Sequence, residues 1–359
     1  MILYVVRYHP ALTETFVRDE VRGLHRSGVP VELAAFDARD AVAVEPVGAR
    51  IHAQPHRARW LAALPALFGE WLRSPSILPL RVLWLTTLVR RAQRVHVHFG
   101  GEAAEWAAIA CRRAGVPYGV TVHAVDLYKP RPLLPDVLAG AATVVAMTAF
   151  NVALIRERYG IEARLVRFGL RLDSVPQAQP ARSRRIVSVG RNVPKKGLDA
   201  VLRLAARLGG AGEVVIASDL APSPHAAIRG LLPHAAVLDL LATAGLFVLP
   251  CRVAADGDMD GLPVALVEAM AAGLPVVTTS VSGLPELVDE QVGWVVPPED
   301  DDALWQAVTE AMADPAERAR RGAAARHRVV ERGYDLARLV SDMTRIHQPG
   351  YGGATSGLT

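Results

Sequence analysis

Between Leu246 and Glu286 the chain runs apolar segment, glycine-bearing loop, short apolar helix, apolar segment, with almost no residues to spare. Leu246–Pro250 reads as one strand. The loop GDMDGLP from Gly257 follows, then a helix around VALVEAMAA from Val264, then a second strand in LPVVTT from Leu274. A strand, a glycine-bearing loop, a helix and a strand in that order aim backbone N–H groups and a helix N-terminus at an anion. Two carboxylates flank that feature, Asp260 in the loop and Glu268 inside the helix. Carboxylates accept protons from sugar hydroxyls, and they repel phosphate unless a cation balances them. The competing reading is a solvated loop before an ordinary amphipathic helix, because a D-x7-E spacing is common by chance.

A second segment supplies cations. RIVSVGRNVPKKG from Arg185 begins with the strand candidate Ile186–Val189, turns at Gly190, and places Arg191 and Lys196 in a loop before the helical run Leu198–Leu208. Two cations at the C-terminal end of a parallel strand suit a diphosphate. Taken alone, the segment reads equally as a solvated basic loop.

Together the two segments resemble the retaining glycosyltransferases of family 4, the glycosyl transferases group 1. That family pairs a G-R-x4-K-G segment with E-G-x-P-x4-E-A-M-A-x-G-x-P-V-V. The first matches at Gly190, Arg191, Lys196 and Gly197. The second matches at Gly261, Pro263, Glu268, Ala269, Met270, Ala271, Gly273, Pro275, Val276 and Val277. Asp260 stands where the family usually has Glu. Gly283–Glu286 and Gly293–Val296 also look like family positions, so the resemblance covers Arg185 to about Ala313. The N-terminal half carries weaker signals. Thr13–Glu20, His96–Gly100 and Val120–Asp126 resemble the S-E-T-F-I-x-x-E, H-x-H-F-G and T-x-H-A-x-D segments of a colanic-acid and exopolysaccharide subgroup.

The resemblance implies a GT-B fold: α/β, with two Rossmann-like doubly wound parallel-sheet domains facing a central cleft. Residue patterning agrees on the class. Strand candidates Leu3–Arg7, Val31–Phe36, Val95–Phe99, Gly119–His123, Thr143–Met147 and Arg164–Arg167 alternate with helical runs such as Phe16–Ser27, Ala103–Ala114 and Ala149–Tyr159. We expect an acceptor-side domain over 1–171 and a linker over 172–184, where Pro176 and Pro180 fall. A nucleotide-sugar domain over 185–333 and a C-terminal helix with a Gly- and Ser-rich tail over 334–359 complete the chain. No internal repeat is evident beyond the shared α/β pattern. The chain has 359 residues, enough for two domains with sizeable cores.

Composition excludes several classes. A hydrophobic fraction of 51% with 21% charged residues indicates a globular chain rather than a disordered one. A net charge of +4 with arginines spread throughout leaves no nucleic-acid footprint. Cys111 and Cys251 cannot build a disulfide framework or a metal site, which fits a reducing cytoplasm. Met1–Val6 reads as a first strand rather than a signal peptide, since Arg7 and His9 follow it. Trp60–Val89 is apolar, but Glu70, Arg73, Arg81, Pro65, Pro75 and Pro79 interrupt it, so packed helices are expected there. A peripheral contact with the inner face of the membrane is the alternative for that stretch.

By resemblance, Arg191 and Lys196 neutralise the leaving diphosphate, and His123 reaches the donor sugar. Asp260 binds a sugar hydroxyl, Glu268 the ribose hydroxyls, and Gly261, Leu262, Val264 and Ala265 line the donor. Glu14, Thr15 and His98 are acceptor-side candidates, and Thr13 is a helix-cap candidate. A buried core histidine is the competing role for His123. No metal is expected: Asp256-Gly257-Asp258 has the letters of a D-x-D motif but overlaps the carboxylate loop. No cofactor is expected beyond the nucleotide-sugar donor, a UDP-sugar ahead of a GDP-sugar. Ala217–Ala236 is abbreviated relative to the family, with Ser218-Asp219 where glycines usually stand beside the base. The expected partners are that donor and a hydroxyl acceptor on a glycan, a lipid carrier or a small molecule. A sugar-nucleotide epimerase and a non-catalytic nucleotide-sugar binder are the rival readings.

Overall fold

The computed structural model describes residues 1–9, 15–37, 47–54, 80–210 and 213–348. The candidate positions Thr13 and Glu14, most of the Trp60–Val89 stretch and the tail beyond Gln348 lie outside them.

Thirteen strands are found among the described residues, in two sheets. The first holds β1 (Ile2–Tyr8), β2 (Val31–Asp37), β3 (Arg50–Ala53), β4 (Arg94–His98), β5 (Tyr118–Thr121), β6 (Thr143–Ala146) and β7 (Arg164–Leu165), in the order β3-β2-β1-β4-β5-β6-β7. The second holds β8 (Ile186–Val189), β9 (Val214–Ala217), β10 (Ala227–Ile228), β11 (Leu246–Leu249), β12 (Val276–Thr279) and β13 (Gly293–Val296), in the order β10-β9-β8-β11-β12-β13. Every pairing within them is parallel. Parallel strands need crossover connections and have both faces covered, so their sequences read as continuous apolar runs. LFVL in β11 and VVTT in β12 are buried throughout.

Each sheet reverses direction once. In the first, the chain moves outward from β1 through β2 to β3, then returns to place β4 on the other side of β1. In the second, β8 leads out through β9 to β10, and β11 returns beside β8. Such reversals leave a crevice at the carboxyl ends of the two central strands, the usual ligand position of open α/β sheets. The crevice at β1/β4 is bordered by Phe99–Gly101, and that at β8/β11 by residues 190–197 and 250–263.

The chain forms two compact units. The first comprises residues up to Met147, Val152–Gly169 and the chain from Leu336 on; the second comprises Thr148–Asn151 and Leu170–Asp335. The helix Leu336–Ile346 therefore belongs to the N-terminal unit. Its apolar face, Leu339, Val340, Met343 and Ile346, is buried in one cluster with Val17, Val21 and Leu24 of the helix Thr15–Arg26 and with Tyr4 and Leu33 of the sheet. Gly23 permits this approach, since a Cβ there would stand 2.6 Å from Val340 Cγ2. In the second unit, the expected linker is pinned to the domain. The buried Arg318 guanidinium donates to the carbonyls of Pro180 (3.1 Å) and Ser183 (3.3 Å) as well as to Ala311 and Met312.

Several expected strand ends shift by a residue or two, β6 and β7 among them, and two of the shifts have a local cause. The strand expected to reach Phe99 ends at His98, because Phe99 turns into the left-handed region at φ +69°. The strand expected to reach His123 ends at Thr121, and His123 instead starts the helix Ala124–Tyr128, its N–H donating to Asp126 Oδ2 at 2.9 Å. Of Trp60–Val89, Leu80–Val89 is described. It is a helix with Val82, Leu83, Trp84 and Leu85 buried, and it packs against the helix Glu102–Ala114. No helix among the described residues is long and apolar enough to cross a membrane.

If Leu336–Ile346 is part of the N-terminal core, Met343→Ala should destabilise the chain by about 2–4 kcal/mol through the lost burial and the cavity left behind. Urea unfolding measures it, and an unchanged midpoint would show that the helix contributes nothing to that core.

Candidate functional site

The second unit gathers its charged side chains at the β8/β11 crevice. After β8 the chain passes Gly190 and Arg191, forms a short turn at Pro194–Lys196, and enters the helix Leu198–Leu208 through Gly197 at φ +64°. Gly197 is required there twice over. Its φ is strained for a side chain, and a Cβ would stand 2.0 Å from the Pro250 carbonyl oxygen. This contact presses the loop after β8 against the loop after β11.

The second loop delivers the carboxylates. Lys196 Nζ lies 2.9 Å from Asp260 Oδ2. Lys195 Nζ lies 3.0 Å from Asp258 Oδ1 and 3.6 Å from Asp260 Oδ1. Cys251 Sγ donates to Asp260 Oδ2 at 3.7 Å. Two ammonium groups thus face two carboxylates in a nearly closed setting. Burial by itself raises the Asp260 pKa, but Lys196 and Lys195 outweigh it and hold the carboxyl below its ordinary 3.8. Burial likewise opposes the charge on Lys196, and Asp260 overcomes it, holding the ammonium above its ordinary 10.5. Burial ahead of the Asp260 charge pushes the Cys251 thiol well up, so this cysteine is inert at neutral pH.

Glu268 sits in the helix Val264–Ala271, its side chain 6% exposed. Its Oε1 is 2.7 Å from His234 Nε2, at the start of the helix His234–Ala242. His234 was missed by sequence reasoning; only its position near the end of the short Ala217–Ala236 segment could have drawn attention to it. A helix cannot satisfy its own first N–H groups, and here these belong to Val264 and Ala265, with Leu266 N–H already donating to Pro263. Leu262, Val264 and Ala265 are half-buried and Gly261 is buried. Gly261 O accepts from Gly283 N–H, and a Cβ on Gly283 would clash with Gly261 O at 2.9 Å, so the Gly283 stretch braces the carboxylate loop. Glu286 accepts the N–H groups of Ala149 and Phe150, at 2.9 and 2.6 Å. Arg191 is exposed beside this cluster. Asp219 holds the same loop by accepting the Asn192 N–H at 2.6 Å, the main cause of its depressed pKa.

The remaining candidates lie in the first unit. His123 is buried, its ring stacked on Phe99 at 4.1 Å, and burial holds it neutral by lowering its pKa well below 6.5. His98 is fully buried, facing Glu20 and His123 rather than solvent. Thr15 opens its helix, half-buried. The Phe99 backbone costs about 1–3 kcal/mol, the kind of strain that persists where a fold is constrained by function.

The Lys196–Asp260 pair has a pH signature. Asp260's depressed pKa makes its contribution to stability complete above the unfolded value and lost as pH falls through the folded one. Lys196's raised pKa makes its contribution complete below the unfolded value and lost as pH rises through the folded one. The pair therefore stays ionised between 3.8 and 10.5, the ordinary values of the two groups. Asp260→Asn should destabilise most at neutral pH, and the difference from wild type should shrink toward pH ~2–3. Urea unfolding across that range checks this; a difference independent of pH would mean that the pair does not contribute to stability.

Comparison with known proteins bears directly on this arrangement. The model of Glycosyltransferase Family 4 matches residues 13–168, and that of Glycosyl transferases group 1 matches residues 173–328. The amylovoran biosynthesis glycosyltransferase AmsK of Erwinia amylovora is 40% identical over 164 residues, 41% of this chain and 39% of that protein. WcaL of Escherichia coli, by name a colanic acid biosynthesis glycosyltransferase, is 34% identical over 198 residues, 50% of this chain and 46% of that one. A GDP-mannose-dependent α-(1-6)-phosphatidylinositol monomannoside mannosyltransferase of Mycolicibacterium smegmatis is 32% identical over 220 residues, 55% of this chain and 53% of that one. The chain thus spans roughly half or less of the length of the curated relatives it matches. Among solved structures, sucrose-phosphate synthase from Thermosynechococcus elongatus superposes with a TM-score of 0.76 at 17% identity, covering 97% of this chain and 98% of that one. HepE of Anabaena, in complex with UDP and glucose, gives 0.74 at 15% identity, covering 96% and 98%. These likenesses establish the GT-B fold. The two family models follow one another along the chain, and with the colanic-acid and amylovoran relatives they place it in the group 1 glycosyltransferases of family 4.

Proposed function

We propose that the chain transfers a sugar from a nucleoside-diphosphate sugar to a hydroxyl acceptor, with retention at the anomeric carbon. One observation carries most of this reading. The cations Arg191 and Lys196 and the carboxylates Asp260 and Glu268 leave adjacent parallel strands at the β8/β11 reversal, where open α/β sheets bind ligands. A diphosphate arriving there would engage Arg191 and Lys196, charges already fixed where the leaving group develops its own. Preorganised charge of this kind is usually the largest catalytic contribution. Lys196 would then exchange part of its bond to Asp260 for the phosphate, and Asp260 would turn to a sugar hydroxyl. Glu268, its Oε1 held by His234, would present its other oxygen to the ribose. Val264 and Ala265 N–H groups would complete the anion site. In this reading His123 contacts the donor sugar, and Glu14, Thr15 and His98 shape the acceptor side.

Comparisons support a nucleotide-sugar partner. HepE is solved with UDP and glucose, and the mycobacterial relative is GDP-mannose-dependent by name. UDP-sugars come first in our reading and GDP-mannose second. The exopolysaccharide names of AmsK and WcaL favour a glycan or lipid-linked acceptor. The same reading places the enzyme in the cytoplasm, peripheral to the inner face of the membrane where a lipid-linked acceptor is used.

Incubation with a panel of nucleotide sugars tests the proposal. Acceptor-dependent release of nucleoside diphosphate supports a transferase, isomer formation an epimerase, and binding without turnover a non-catalytic protein. Lys196→Ala should slow transfer by about 10²–10³-fold, as loss of one charge-assisted contact to a developing charge does. Wild-type turnover in that variant would remove Lys196 from the mechanism. Asp260→Asn should leave nucleoside diphosphate affinity nearly intact while reducing transfer, and Asp260→Glu should be tolerated or should shift donor choice. Equal rates for wild type and Asp260→Asn across the panel would exclude the sugar contact.

Glu268→Ala should weaken the free nucleoside diphosphate itself by about 1.5–3 kcal/mol, read by calorimetry. His234→Ala should weaken it by roughly tenfold, about 1.4 kcal/mol, since Glu268 loses its anchor. Unchanged nucleotide affinity in both variants would make the Glu268–His234 pair a structural contact.

A further inference from the structure

The N-terminal unit buries a set of ligating side chains, of which the proposed transfer reaction invokes only His98, at the acceptor side. His96 and His98 lie two residues apart on β4, so both imidazoles leave the same face of the strand. Glu20 reaches that face from the helix Thr15–Arg26, its Oε1 accepting the Tyr4 hydroxyl at 2.7 Å. One ligating atom from each of Glu20, His96 and His98 lies within 4.8 Å of the other two. The three residues are 2%, 0% and 0% exposed.

Buried polar atoms are nearly always satisfied, yet His96 Nδ1 and His98 Nε2 have no hydrogen-bond partner among the described residues. His98 Nε2 stands 3.4 Å from Glu20 Oε1 without hydrogen-bond geometry. Two ligand atoms on a tetrahedral ion with bonds of about 2.0–2.1 Å stand about 3.3–3.4 Å apart. The opposite nitrogen of each ring is already held. His96 Nε2 meets Thr121 Oγ1 at 2.8 Å, and His98 Nδ1 meets His123 Nε2 at 3.3 Å. His98 thus has one ring nitrogen fixed by an outer partner and the other facing Glu20, the usual arrangement of a metal-bound histidine.

We propose that Glu20, His96 and His98 form a structural site for a divalent cation of the zinc class, bound by two imidazole nitrogens and one carboxylate oxygen. His347, whose ring lies 5.0 Å from that of His96 and whose Nε2 also lacks a partner among the described residues, lies beside the three ligands but outside their 4.8 Å group. The ion would tie β4 to the helix Thr15–Arg26 inside the unit, away from solvent. It takes no part in the transfer chemistry, and the proposal stands whether or not the chain is a transferase.

The test uses the full chain without a polyhistidine tag, produced in zinc-supplemented medium and analysed for bound metal. About one zinc per chain is expected. Refolding with cobalt(II) should give the visible absorption of a tetrahedral site, and zinc should raise the thermal midpoint. His98→Gln should abolish stoichiometric binding. Thr121→Val, nearly isosteric and outside the ligand set, should keep the fold and weaken zinc binding by about 10–100-fold. His327→Ala, at a side chain 81% exposed, should change nothing. A folded wild-type chain without stoichiometric zinc, or zinc retention unaffected by Thr121→Val and His98→Gln, would overturn the proposal.

Discussion

The close approach of Gly197 to the Pro250 carbonyl is the constraint on which the candidate donor site depends. It brings the loop after β8 against the loop after β11, and without it Lys196 could not meet Asp260 inside the protein. Only a residue without a side chain fits, and only a residue at home at positive φ can make the turn. The ion pairs follow from that contact. A buried ammonium alone would lose its proton and a buried carboxylate alone would gain one. Facing each other, both stay charged, and the site keeps an ammonium fixed in place where solvent is largely excluded.

The N-terminal unit solves a different problem. Its sheet reverses at β1/β4, so the residues at the end of β4 border a crevice of the same kind. Here the polar groups lie beneath the surface. Tyr4, Glu20, His96, His98 and His123 make a chain of contacts in which burial keeps His96 and His123 neutral. Burying so many polar atoms is costly unless each is paired or bound to an ion. Phe99, strained at φ +69° and stacked on His123, closes this cluster at the strand end.

Much of the fold is legible in the sequence because parallel strands buried on both faces are continuous apolar runs. Ile186–Val189, Leu198–Leu208 and Ala149–Tyr159 appear with the expected bounds. β3 and β10 escape a reading by hydrophobicity. Arg50–Ala53 is largely exposed, and Ala227–Ile228 is two half-buried residues, so neither edge strand carries an apolar run. The ends of β4 and β5 were overrun by one and two residues, because the turns at Phe99 and His123 are set by packing and by a side-chain cap rather than by a glycine or proline.

The site divides along the same line. The glycine positions, Arg191, Lys196 and the carboxylates Asp260 and Glu268 are visible in the sequence because turns and charge recognition each demand particular residue types at short spacing, whereas Lys195 emerges only from its contacts. The pairing of Lys196 with Asp260, 64 residues apart, follows only from β8 and β11 lying side by side. The same holds for His234 against Glu268, for the return of Leu336–Ile346 to the N-terminal core, and for Glu20 beneath the two histidines of β4. Sequence determines what each short segment can do, since propensity and chemistry are local. Which distant segments meet is decided by strand order and burial, which exist only once the chain is folded.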